Sequence, residues 1–181
     1  MCSESRKVLP PDAHATHSGR ASTAPDSVRC IPGDRPSWPL VNGRDHWLVR
    51  PAREQDFDQL FGMVSAVAEE DKWIGAQAPL DRLTTISRWT ADLVDPNAAL
   101  VVSEDHGEIV GEASVHLDAG RADLGMQVTE PYRGLGVGTA LMEAVLTWAM
   151  TQGAHKITLQ VWPHNHAARR LYQRFGFVTE G

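Results

Sequence analysis

A glycine-rich segment at residues 128–139, VTEPYRGLGVGT, carries the clearest chemical signal in this sequence. Gly134, Gly136 and Gly138 alternate with larger residues directly before an apolar helical pattern. Glycine accepts backbone conformations that let successive N–H groups turn toward one anion, and a helix start adds the positive end of its dipole. The segment therefore predicts a phosphate cradle, with a diphosphate group as its natural ligand.

Two common phosphate-binding loops can be excluded for this segment. A Walker loop needs a lysine after GxxxxG, and residues 128–139 contain none. A dinucleotide fingerprint needs GxGxxG, and its third glycine position falls on Thr139 or Leu141. What remains is the pattern RxxGxG, formed by Arg133, Gly136 and Gly138. The structural alternative is a strand-to-helix turn that binds no ligand.

A second motif, NHAARRLYQRFGF at residues 165–177, follows the strand-like residues 156–163. Together the two motifs resemble the GCN5-related N-acetyltransferase (GNAT) family, whose coenzyme A loop reads Q/R-x-x-G-x-G/A and whose fourth helix reads N-x-x-A-x-x-L-Y-x-x-x-G-F. Every fixed position of the second pattern is present: Asn165, Ala168, Leu171, Tyr172, Gly176 and Phe177. The resemblance covers about residues 47–181 and is greatest to the phosphinothricin-type or a related small-amine branch.

The resemblance implies that acetyl-coenzyme A (acetyl-CoA) binds as the acyl donor. It implies that the backbone of residues 126–128 pairs with the pantetheine arm like an added strand, and that the Val128 N–H holds the thioester oxygen. It places the diphosphate on residues 134–139 and Asn165 on the arm near the thiol. The implied cofactor-binding residues are Met126, Gln127, Val128, Arg133, Gly134, Leu135, Gly136, Val137, Gly138, Thr139, Asn165 and Tyr172. Arg169 or Arg170 would meet the 3′-phosphate.

The implied reaction is acetyl transfer to a primary amine by direct attack in a ternary complex. The amine would belong to a small molecule, an amino acid or a protein N-terminus. Tyr172 would protonate the leaving sulfur, although its spacing also fits a helix core stripe. A non-catalytic acyl-CoA-binding or regulatory module, or an inactive truncated acetyltransferase, is the alternative.

The general base is left open by the sequence. Glu112 shares one face of a predicted strand with His116, and either side chain could relay a proton if that face lines the cleft. If that face is exposed to solvent, neither residue takes part in catalysis. Asp123 and Glu130 are weaker candidates, because the first begins its strand and the second would repel phosphate.

Apolar periodicity predicts the element order β-α-α-β-β-β-α-β-α-β from residue 47 onward. The expected fold class is α/β (α+β), the GNAT fold: a central mixed, mostly antiparallel sheet with helices on both faces. Family members continue into a seventh strand that inserts between the fifth and sixth, whereas this sequence stops at Gly181. We therefore expect a sheet without its C-terminal strand, and a chain that is marginally stable or self-associating.

Composition divides the chain into a tail and one domain. Residues 1–44 hold six of the eleven prolines and predict a disordered tail, and residues 45–181 form the acetyltransferase domain. The domain carries eleven basic and nineteen acidic residues, which disfavours nucleic acid and suits a cationic amine.

The positions of the cysteines and the hydropathy of the chain indicate whether it binds a metal and where it is located. Cys2 and Cys30 both lie in the predicted tail, and His164 and His166 lack a third ligand, so no metal is expected. Without a long apolar run or a signal-like N-terminus, we expect a cytoplasmic protein that does not bind membranes. A homodimer is compatible with the sequence.

Overall fold

The computed structural model describes residues 3–8, 47–73 and 78–180 of the 181-residue chain. The strands are β1 (Ser3–Val8), β2 (Leu48–Pro51), β3 (Ala98–Asp105), β4 (Glu108–Asp118), β5 (Arg121–Val128), β6 (Lys156–Val161) and β7 (Val178–Glu180). The helices are α1 (Phe57–Glu69), α2 (Arg82–Val94), α3 (Val137–Thr151) and α4 (His166–Arg174). From β2 onward this is the predicted order of elements.

The strands form one sheet with the order β2-β3-β4-β5-β6-β1-β7. Neighbouring strands are antiparallel except for β5 and β6, which run parallel. The prediction of a mixed, mostly antiparallel sheet is therefore confirmed.

Helices cover both faces of this sheet, because the central strands β3 and β4 bury side chains on both sides. Leu100, Val102 and Ile109 pack in a cluster with α1 and α2. Val101 and Val115 pack on the opposite face in a cluster with α3 and the end of α4. No helix of the described residues is long and apolar enough to span a bilayer.

The position of β1 corrects two expectations. It lies between β6 and β7 and pairs antiparallel with both, so the place left for a C-terminal strand is filled by residues 3–8. The expectation of disorder is wrong for these six residues, and the rest of the predicted tail, residues 9–44, lies outside the described residues. The physical reason is that the facing edges of β6 and β7 present unpaired N–H and C=O groups, which any extended segment can satisfy.

Candidate active site

A cleft opens where β5 and β6 separate. Their parallel pairing extends only from Arg121 and Lys156 to Leu124 and Leu159. Beyond that point β5 continues to pair with β4 as far as Val128, but no strand of the described residues pairs with its other edge. The resulting cleft has a volume of about 1200 Å³, which is larger than most small-molecule pockets.

The glycine segment forms one end of this cleft, at the start of α3. Gly134 and Gly136 have φ of +77° and +105°, values that residues with a side chain rarely adopt, and Gly136 is the residue that caps the helix. Both glycines line the cleft together with Gly138 and Thr139. The Thr139 and Ala140 N–H groups donate to the Gly136 carbonyl oxygen at 2.9 Å and 3.1 Å, so the N–H groups of Val137 and Gly138 are the ones that precede the helical hydrogen bonds, and this end of the cleft is suited to an anion.

The other residues of the segment have different surroundings. A Cβ on Gly138 would come within 3.2 Å of Leu171 Cδ2, so this glycine permits close packing of α3 against α4. The Val137 side chain lies in the core and that of Leu135 is exposed, and neither residue lines the cleft. Any contribution of these two residues to ligand binding must therefore come from their backbone.

Arg133 fixes the shape of the loop instead of presenting a free charge. Its Nε donates to the Val128 carbonyl oxygen at 2.8 Å, and its two terminal nitrogens lie 2.8 Å and 2.5 Å from the Glu70 carboxylate. The pKa of Glu70 is lowered, chiefly by this hydrogen bond from Arg133. Arg133 also lies over the Trp73 ring, 5.6 Å from its centroid. Arg133 thus joins the end of β5 to the segment after α1.

Helix α4 supplies the opposite wall of the cleft. Asn165 caps the helix by accepting a 3.1 Å hydrogen bond from the Ala168 N–H, and its side-chain amide remains available as a donor. Tyr172 lines the cleft while its ring packs 5.9 Å from that of Phe177. Tyr172 therefore lies both in the cleft lining and in the packed core, and its role as a proton donor stays a prediction.

Two arginines on α4 line the cleft near the glycine segment. Arg174 donates to Thr139 Oγ1 at 3.2 Å, and Arg170 lies one turn before it. Arg169, by contrast, donates to the Pro163 carbonyl and does not line the cleft. Sequence reasoning named Arg170 but missed Arg174, although their spacing of four residues places them on one face of the helix.

Glu112 lies on the α1–α2 side of the sheet, directly opposite Gln127 of β5. Gln127 Nε2 donates to Glu112 Oε1 at 2.8 Å, while Oε2 is buried without a hydrogen-bond partner among the described residues. Burial raises the pKa of Glu112 to about 7, against a smaller lowering by the Gln127 hydrogen bond. Glu112 itself does not line the cleft, but Gln127 does, so the carboxyl lies just behind the cleft wall.

Each of the other candidate bases either has a hydrogen-bond partner already or lies outside the cleft lining. His116 lines the cleft, and its Nε2 lies 2.9 Å from Oδ1 of the buried Asp92. Asp123 also lines the cleft and accepts a hydrogen bond from Thr158 Oγ1. Glu130 is exposed and absent from the cleft lining. Of the predicted bases, Glu112 is thus the buried one and has the raised pKa.

Sequence reasoning missed an aromatic group formed by Trp73, Trp162 and His164, of which the two tryptophans line the cleft. Trp162 and His164 are stacked with centroids 6.1 Å apart, and Trp73 lies 6.1 Å from His164. His164 Nε2 is 2.7 Å from the Lys72 carbonyl oxygen. These residues come from two distant segments, so no local spacing could have signalled them. No cluster of three metal-ligating side chains occurs among the described residues.

Residues 64–177 match the model of the acetyltransferase (GNAT) family. The chain is 33% identical over 104 residues to an uncharacterized N-acetyltransferase of Mycobacterium tuberculosis, covering 56% of this chain and 67% of that protein. The Salmonella typhimurium protein yncA, solved with its cofactor acetyl-CoA, is similar with a TM-score of 0.68 and 20% identity, over 76% of this chain and 82% of that one.

The phosphinothricin-type branch is one of several similar groups. A solved structure provisionally assigned as a phosphinothricin N-acetyltransferase has a TM-score of 0.67 and 19% identity, over 75% of this chain and 85% of that one. At such identities, the likeness to solved structures shows the fold alone.

Proposed function

Because the chain belongs to the GNAT acetyltransferase family, we propose that it transfers an acetyl group from acetyl-CoA to a primary amine. The observation that carries this proposal is the cleft between β5 and β6, which extends from the start of α3 to Gln127, the side chain that hydrogen-bonds the buried Glu112 carboxyl behind the cleft wall. A long ligand with an anionic middle and a reactive end fits this arrangement.

The donor side would bind through the backbone and α4. The first N–H groups of α3 and the arginines Arg170 and Arg174 would hold phosphate groups. The free edge of β5 from Met126 to Val128 would pair with the amide-bearing arm, and the Asn165 side-chain amide would donate to it. The Val128 N–H would polarise the thioester oxygen. The peptide group that follows it is held at both atoms, since Arg133 Nε donates to the Val128 carbonyl oxygen and the Thr129 N–H donates to the Val110 carbonyl oxygen, and this restrains the end of β5 next to the donor.

The amine would approach from the side of Glu112. A protonated amine cannot attack a carbonyl, so a base must first remove a proton. Glu112 Oε2 is buried without a hydrogen-bond partner among the described residues, and a pKa of about 7 allows it to take a proton near neutral pH, through a water that would bridge it to the cleft. The amine nitrogen then forms the new C–N bond as the C–S bond breaks, and it gives its second proton to solvent, from which Tyr172 regains the proton that it passes to the sulfur.

Tyr172 would complete the reaction by giving its phenolic proton to the departing sulfur. It lies on the α4 wall of the cleft, across from β5, where the ring is held by Phe177. A thiolate leaves more readily when a positioned donor protonates it in the transition state.

The acceptor is proposed to be a cationic or weakly basic primary amine. The carboxyl groups of Asp92, Glu112 and Asp123 lie on this side of the sheet; Asp123 is paired with Arg121, and Arg133 is paired with Glu70, so Asp92 and Glu112 are the acidic groups that supply the negative charge. Such a field raises the local concentration of cations and disfavours anionic substrates.

The test is release of free thiol from acetyl-CoA, measured for the folded chain across a panel of amines. We expect release that depends on the amine, and faster turnover with cationic amines than with matched amines that carry a carboxylate. Tight coenzyme A binding without turnover of any amine would favour a non-catalytic binding module instead.

A further inference from the structure

The two ends of β6 have different backbone partners. Residues from Lys156 to Leu159 pair with β5 on one edge and with β1 on the other. Gln160 and Val161, which line the cleft, pair with Glu4 and Ser3 of β1 and have no partner on β5. At the point where the cleft opens, β1 is therefore the strand of the described residues that pairs with β6.

The same strand anchors the element that follows α4. Among the described strands β7 pairs with β1 alone, through Glu4, Ser5 and Arg6. Since β7 begins just after Phe177, against which Tyr172 packs, β1 also restrains the C-terminal end of the α4 wall.

We propose that β1 (Ser3–Val8) braces the cofactor cleft from outside, so that its backbone pairing sets the affinity for coenzyme A although its backbone is separated from the cleft by β6. A strand with one edge open to ligand keeps its position only if the other edge is paired, because an unpaired strand end hydrates and frays. The proposal rests on the proposed function, since it takes coenzyme A as the ligand of the cleft.

The test removes backbone donors from β1 in the full chain. Neighbouring residues of an interior strand bond to opposite sides, so Ser5→Pro and Arg6→Pro between them delete one N–H from each ladder. The matched controls Ser5→Ala and Arg6→Ala keep both N–H groups. Calorimetric titration with coenzyme A should show at least about tenfold weaker binding for the proline variants and unchanged binding for the alanine controls.

Amide hydrogen exchange on the unmodified chain keeps the test decisive if a proline variant fails to fold. We expect residues 3–8, Gln160 and Val161 to be protected together without ligand, and their exchange to slow further when coenzyme A binds. Exchange of residues 3–8 at the unfolded rate, or folded proline variants with unchanged affinity, would overturn the proposal. An unmodified chain that does not bind coenzyme A would refute the proposed function, whereas its ligand-free exchange would still report whether β1 is in place.

Discussion

The donor and acceptor sides of the cleft differ in how the chain assembles them. The donor side comes from two short segments, residues 126–139 and 165–177, each with a helix start that fixes its geometry locally. The acceptor side draws Glu112 from β4, Asp92 from α2 and Trp73 from the segment after α1. The proposed donor side is therefore a local property of the sequence, whereas the proposed acceptor side is assembled only by the fold.

The most disruptive change on the donor side is Gly136→Glu, which we expect to abolish coenzyme A binding. Gly136 has a φ of +105° and caps α3, so the variant adds strain, bulk and a negative charge at the anion site. Gly153→Glu is the matched control, because Gly153 also has positive φ and lies just past the opposite end of α3. Calorimetric titration should give no binding for the first variant and near-normal binding for the second; equal affinities in two folded variants would contradict this assignment.

On the α4 wall, Tyr172→Phe should lower turnover by about 10²-fold while leaving coenzyme A affinity and melting temperature nearly unchanged. The ring would keep its contact with Phe177, and the hydroxyl group with its proton would be lost. Steady-state kinetics with a saturating amine measures the effect. Turnover within about twofold of the unmodified chain would show that Tyr172 serves only packing.

On the proposed acceptor side, we expect Glu112→Gln to lower the activity roughly tenfold. Because the Glu112 pKa is raised to about 7, the carboxyl is protonated below that pH, so kcat/KM of the unmodified chain should rise as pH increases through 7. The variant should lose this rise. Asp123→Asn, which also removes a carboxylate from this side, should keep it; the reverse outcome would make Asp123 the base.

The same Glu112→Gln variant has a predicted effect on stability. The folded chain binds the Glu112 proton more tightly than the unfolded chain, so this group makes stability fall as pH rises from about 4.5 to about 7. Relative to the unmodified chain, Glu112→Gln should be more stable by about 1–3 kcal/mol at pH 8 and nearly equal at pH 4. Denaturant unfolding of both proteins at pH 4 and pH 8 measures this difference. An equal gain in the free energy of unfolding at the two pH values, or no gain at pH 8, would contradict the prediction.

The smallest expected effect is at Arg133, where Arg133→Ala should weaken coenzyme A binding by only about three- to fivefold. The side chain orders the Val128 carbonyl and Glu70 and is not positioned as a free phosphate ligand. Glu70→Gln removes the charge pair but keeps the Arg133–Val128 contact, so its effect should be smaller still. Losses above about 10²-fold in Arg133→Ala would indicate direct phosphate contact.

The features that could be predicted from the sequence are those that short segments encode, and the features that could not depend on contacts between distant segments. The order of elements was predictable from apolar periodicity, and the position of Gly136 from the glycine pattern at a helix start. The fold class and the place of residues 126–128, Asn165 and Tyr172 at the cleft were expected from the resemblance to the GNAT family. The pairing of Arg133 with Glu70 was not, since 63 residues separate the partners and nothing local marks either one.

Two further features lay beyond sequence reasoning for different physical reasons. The β1 segment, SESRKV, is polar and lacks apolar alternation, so its strand depends on the free backbone edges of β6 and β7. The pKa of Glu112 is raised because α1 and α2 cover its face of β4. Strand alternation shows which residues share a face, but it does not show which helices cover that face.

The most direct test of the central claim counts both products of a single reaction mixture at pH 8. With acetyl-CoA and a cationic primary amine, the unmodified chain should release free thiol and form acetylated amine in a one-to-one ratio, and should release almost none when the amine is omitted. A folded chain that binds coenzyme A yet forms no acetylated amine, or that accumulates an acetyl group on itself without amine, would contradict direct transfer through this cleft.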